Sequence, residues 1–279
     1  MSEKNKQILV YTDFTQVGDR AVEHAIQVTK IFKGDLHLMH IIDDNTFRLF
    51  KKKNAEEETQ KELEKIKAEI KNKHNIDCQI IVEQGCTCEV INSTAEKMNV
   101  AIIVLGIHQS NQLQFLTPKN AIKIIKKSRI PYLCVKENTP VENSYDNIIL
   151  PLNFLKETKE KVSWAAYFGK LNKSSVKIFL PKILDEYIKN NLAFARKLLK
   201  QFNVEFTEIN SDKSAFNIDI EAIKYSNKLC KCMLIVMNKK SSSFFDNIFG
   251  ASENKYISNK YNVPVLILNP RDDLYVPCV

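Results

Sequence analysis

The sequence predicts an α/β protein built from two doubly wound, five-stranded parallel-sheet domains in tandem. Short uninterrupted apolar runs recur along the chain, segments of helical period alternate with them, and the whole pattern occurs twice. Residues 8–14 are matched by 148–154 at an offset of 140, and the same offset pairs Ala25 with Ala165 and Lys30 with Lys170. Residues 102–106 match 234–238 at an offset of 132, and 131–135 match 264–268 at 133. These offsets place the domains at 1–138 and 146–279, the second more divergent, with a polar join containing Pro140.

In the first copy, residues 8–11 read as a buried strand. Ala21, Val22, Ala25, Val28 and Phe32 then fall on one helical face. Residues 36–42 form the second strand. A charged helix over 54–73 follows, with Leu63, Ile66 and Ile70 as its apolar stripe and Glu57–Lys61 and Glu69–Lys73 as supporting i,i+4 pairs. The third strand is 80–82, and Val90, Ile91, Thr94, Ala95 and Met98 mark the third helix. Residues 101–105, a helix over 121–127 and a strand over 132–135 close the unit. Continuous apolar strands separated by helices imply parallel strands covered on both faces, with ligands beyond their carboxyl ends.

Composition narrows the classes of function. The chain has 279 residues, 44% hydrophobic and 27% charged, enough apolar content for a packed core. No uncharged apolar run reaches the ~18 residues of a membrane helix. The opening residues show no secretory pattern, so the expected location is the cytoplasm, with no membrane partner. The net charge of +8 is interleaved with acids. The basic run Lys119, Lys123, Lys126, Lys127 and Arg129 therefore reads as a solvated helix face, and nucleic acid is not an expected partner. Seven cysteines include two C-x-C pairs, Cys86/Cys88 and Cys230/Cys232. Neither has zinc spacing, so all are read as buried or incidental thiols and no metal is expected.

Asp13 at the end of the first strand, residues 36–43, 82–85 and 103–106, in this order and spacing, resemble a universal stress protein domain. The likeness covers nearly the whole chain as a tandem pair. It implies a Rossmann-like sheet in order 3-2-1-4-5 and pairing of the two domains as an intramolecular pseudo-dimer through their last strands. It further implies a stress-response role, a regulatory protein partner, and homo-oligomers as a further assembly.

One branch of that family binds ATP through G-x2-G-x9-G-[S/T] after the fourth strand, where glycines let backbone N–H groups approach phosphate at a helix N-terminus. Here Gly106 holds the first position, Gln109 the second and Lys119 the third, followed by Asn120, with Pro118 offering no N–H. The second copy has Asn153 for the aspartate, Asn238 and Ser241 at the first two glycines, and residues 251 and 252 at the third. The candidate ligand site is accordingly in the first copy: Asp13, Ile41, Gly106, His108, Gln109, Lys119 and Asn120. His37 and His40 read as packing or hydrogen-bonding residues. No nucleophile elbow or P-loop is present. The expected function is a non-enzymatic binding or regulatory module with degenerate nucleotide sites and no tightly held cofactor. Adenine nucleotide or phosphate is the weak ligand it would admit. The alternatives are an adenine-nucleotide binder using the first domain only and a weak ATPase.

Overall fold

The computed structural model describes residues 6–50, 52–108, 116–141, 145–155, 157–238 and 261–270. The chain divides into two compact units, 1–141 and 142–279. In the first, the strands are β1 (Gln7–Tyr11), β2 (Asp35–Ile42), β3 (Cys78–Gln84), β4 (Ile102–Gly106) and β5 (Tyr132–Val135). They run parallel in the order β3-β2-β1-β4-β5. The apolar runs of β1 and β4 are buried because strands lie on both sides and helices cover both faces. β3 lies outermost and keeps a half-exposed face.

Helices α1 (Gln16–Phe32), α3 (Ala55–His74), α4 (Thr87–Lys97) and α5 (Pro118–Lys126) fill the crossovers. The face predicted for α1 is the buried one. In α3, Leu63 and Ile70 are buried and Ile66 is half-buried, while the Glu57–Lys61 and Glu69–Lys73 pairs close at 2.8 and 3.2 Å. A buried polar bridge fixes α4: Tyr132 Oη donates to Asn92 Oδ1 at 2.7 Å, and Asn92 Nδ2 donates to the Ile124 carbonyl at 2.9 Å. One element departs from the sequence reading. Helix α2 (Asp44–Phe50) precedes α3, linked by a 3-10 turn at Lys52–Asn54. Seven residues are too few to show a helical period, and the helix exists because Asp43 Oδ1 accepts from the N–H groups of Asn45 and Thr46 at 2.9 and 3.1 Å.

The second unit repeats the architecture with β6 (Asn147–Pro151), α6 (Thr158–Asn172), β7 (Ser175–Leu180), α7 (Glu186–Gln201), β8 (Phe206–Asn210), α8 (Ile218–Ser226), β9 (Cys232–Met237) and β10 (Val265–Leu268). Its order is β8-β7-β6-β9-β10, all parallel. The ladders correct the expected offset of 132 to 131. Ile8 faces Ile102 in the first unit, and its counterpart Ile148 faces Met233 in the second. Likewise Ile107 N–H donates to Val135 O, and Asn238 N–H to Leu268 O. Met237, not Asn238, therefore stands where Gly106 stands. Two runs of similar apolar residues align almost equally well one residue apart, and only the hydrogen-bond ladder separates the alternatives.

Among the described residues, no helix is long and apolar enough to cross a membrane, and no group of three or more His, Cys, Asp or Glu side chains is arranged to hold a metal.

Candidate functional site

The carboxyl ends of β1, β2 and β3 open on a cleft of about 630 Å³ in the first unit. Asp43, Asn45 and Arg48 line one side, Gly85, Cys86, Thr87 and Cys88 at the start of α4 another, and Asn120 on α5 the far side. A smaller recess of about 140 Å³ adjoins the same residues of α2 and is lined by Asp13 and His40. The walls present carboxylate, amide, guanidinium and hydroxyl groups around Tyr11, an arrangement suited to a polar ligand with a flat apolar part.

The backbone turn from β1 into α1 builds the Asp13 end. Phe14 is held at φ 59°, and Asp13 Oδ1 accepts from Thr15 N–H at 3.2 Å and Thr15 Oγ1 at 2.5 Å. Thr15 in turn caps α1 by accepting from Gly18 N–H. A side chain at position 18 would put its Cβ 2.7 Å from Asp13 Oδ1, so glycine there is what lets the helix start so close to the carboxylate. The other carboxylate oxygen, Oδ2, accepts from His108 Nε2 at 2.8 Å. The two side chains are only 11% and 8% exposed, which keeps water from competing for the bond.

His40 is a structural residue. Its Nδ1 donates to the Thr12 carbonyl at 2.7 Å, leaving Nε2 to accept from Thr46 Oγ1 at 2.9 Å, and its ring stacks on Phe14. Burial holds its pKa below the usual histidine range. Burial likewise raises the phenol of Tyr11, with Asp13 and Asp43 adding to the shift. Asp43 joins the walls of the cleft: its Oδ2 accepts from Thr87 Oγ1 at 3.3 Å.

The predicted site residues are dispersed by these contacts. Asp13 lines the recess and Asn120 the cleft. His108 is bound to Asp13. Ile41 is wholly buried in β2. Gly106 is packed against α1, where a Cβ would lie 2.6 Å from the Val17 carbonyl oxygen. Lys119 is exposed on the first turn of α5. At that turn Pro118 has no N–H, and Asn120 N–H is directed at Thr117 Oγ1 at 3.4 Å. Gln109, like Ser241 and residues 251 and 252 of the second copy, lies outside the described residues. Asp43, Asn45, Arg48 and Thr87 also line the cleft, and no ligand motif in the sequence marks them. Asp43 followed three residues later by Thr46 was the available signal for a capped turn at the strand end.

In the second unit the counterpart of Asp13 serves the chain itself. Asn153 Oδ1 accepts from Leu155 N–H at 3.1 Å and Thr158 Oγ1 at 2.5 Å, and Asn191 Nδ2 donates to the Asn153 carbonyl at 2.8 Å. The fully buried Lys161 donates to the Pro151 carbonyl at 2.6 Å.

Comparison with known proteins agrees with this architecture. A family model described as the universal stress protein family matches residues 4–136. A universal stress protein of Methanocaldococcus jannaschii is 30% identical over 161 residues, an alignment covering 49% of this chain and 98% of that protein. A second from the same organism is 26% identical over 141 residues, covering 47% and 82%. Among solved structures, a universal stress protein from Archaeoglobus fulgidus superposes with a TM-score of 0.75 at 14% identity, covering 95% of this chain and 98% of that one. A functionally unknown protein from Pseudomonas aeruginosa gives 0.65 at 15% identity, covering 97% and 94%. At these identities the structural likenesses speak to the fold.

Proposed function

The chain belongs to the universal stress protein family, and from that premise we propose that it is a cytoplasmic, non-enzymatic regulatory module whose first unit alone holds a small polar ligand. The ligand is a nucleoside or nucleoside monophosphate rather than a triphosphate. The observation that carries this reading is the cleft at the carboxyl edge of β1–β3, with Asp43, Asn45, Arg48, Thr87 and Asn120 around Tyr11. These groups suit a base and a sugar, and Arg48 supplies one cation for an anionic group. A triphosphate needs more converging donors. Gly106 is committed to packing on Val17, Pro118 has no N–H, and Asn120 N–H faces a side-chain cap. The two oxygens of Asp13 already accept from Thr15 and His108, an arrangement that positions rather than reacts.

Calorimetry with adenosine, AMP and ATP on the full chain tests the proposal. AMP or adenosine is expected to bind at least as tightly as ATP. ATP binding at a micromolar Kd, ~8 kcal/mol, would overturn it. ATP turnover that disappears in Asp13→Ala would overturn the non-enzymatic part.

A further inference from the structure

Of the two C-x-C pairs, only Cys86/Cys88 lines the cleft; Cys86 is exposed and Cys88 half-buried. Cys86 stands at the N-cap of α4 in extended conformation, φ −76° and ψ 114°, with no capping bond from its side chain. Burial, and after it the neighbouring Cys86 thiol, raise the Cys88 pKa. With Thr87 helical between them, the two Cα atoms are about 5.4 Å apart by helix geometry, inside the ~4.4–6.8 Å range that a disulfide spans. The other pair differs: the Cys232 thiol is directed at the Ser226 and Leu229 carbonyls at 3.6 and 3.7 Å.

We propose that Cys86 and Cys88 form a thiol–disulfide exchange site in the cleft wall, oxidised by a low-molecular-weight disulfide. Cys86, being exposed, attacks first as its thiolate. A bond forms between its Sγ and one sulfur of the reagent, the reagent's S–S bond breaks, and one thiol leaves. The Cys88 thiolate then attacks Cys86 Sγ, closing the 86–88 disulfide and expelling the second thiol. Two cysteine thiols are oxidised, one reagent disulfide is reduced to two thiols, and the two cysteine protons end on those thiols. Burial and the adjacent Cys86 raise the Cys88 pKa, opposed by Lys123 and Lys127, which suits Cys88 to the second, resolving step. The closed bond would encircle Thr87, whose hydroxyl donates to Asp43 across the cleft. This chemistry is independent of what the cleft binds.

The test is incubation of the reduced full chain with glutathione disulfide, followed by alkylation and non-reducing peptide mapping. The expected product is an internal Cys86–Cys88 bond without retained glutathione, formed before any change at Cys230 or Cys232. Cys88→Ser should trap glutathione on Cys86. Cys86→Ser should slow modification at Cys88 by about ten-fold or more. Timed alkylation of the unmodified protein checks the same order without a variant, since Cys86 should label first. Glutathione retained on Cys86 of the unmodified chain, or oxidation confined to other cysteines, would overturn the proposal.

Discussion

His108 Nε2 donates to Asp13 Oδ2 across 2.8 Å, joining residues 95 positions apart in the chain. The bond ties the segment after β4 to the β1–α1 turn. It also engages both oxygens of the strand-end carboxylate: one holds the turn through Thr15, the other holds His108. The second unit shows which half of this is architectural. Leu155 N–H donates to Asn153 Oδ1 as Thr15 N–H donates to Asp13 Oδ1, so the turn needs an acceptor oxygen and not a charge.

That comparison predicts a graded response at position 13. Asp13→Ala leaves the Thr15 N–H and the His108 ring without their acceptor and should cost about 1–3 kcal/mol. Asp13→Asn keeps an acceptor for the turn and should cost less than half as much. Urea denaturation of the two variants against the parent chain measures the difference. Equal losses would show that the charge, not the oxygen, is what matters.

Gly106 is expected to act through packing. Its missing side chain admits the Val17 carbonyl, so Gly106→Ala must push backbone against backbone and should destabilise by about 1–3 kcal/mol. Thermal melts would register this with or without nucleotide present. An unchanged melting temperature together with lost ligand binding would instead make Gly106 a ligand residue.

Arg48 lines both the cleft and its recess. It is exposed, so Arg48→Ala should leave stability within about 0.5 kcal/mol of the parent. AMP binding should weaken by about ten-fold and adenosine binding much less, because only AMP carries the anionic group. Calorimetry on the two ligands separates these outcomes, and an equal loss for both would remove Arg48 from the phosphate role.

Acid should destabilise the fold through buried histidines. Burial, with a smaller contribution from Arg20, pushes the His24 pKa down to about 3, well below its unfolded value near 6.5. Between those values the unfolded chain binds a proton that the folded chain does not. The stability from neutral His24 is therefore complete above about pH 6.5 and is lost as the pH falls toward 3. At pH 5 the loss is about 2 kcal/mol. His40 and His37, also lowered by burial, act in the same direction. Denaturation curves at pH 7 and pH 5 should show this fall, with a shallower slope in His24→Gln.

The sequence by itself determined the alternation of strands and helices, the tandem repeat, the buried face of α1 and the aspartate at the end of β1. All of these follow from local burial periodicity, which is written residue by residue. The tertiary structure decided what that aspartate touches, because its partner His108 follows β4, a strand three crossovers later. It decided that Gly106 serves helix packing, since the Val17 carbonyl pressing on it belongs to another element. It also decided the register of β9, which apolar similarity leaves open by one residue and a hydrogen-bond ladder does not. The cleft itself came from α2, a helix too short to show a period and held by the Asp43 cap, and from the turn that brings Cys86, Thr87 and Cys88 opposite it. Such sites are juxtapositions of distant segments, and the chain's local pattern carries no record of them.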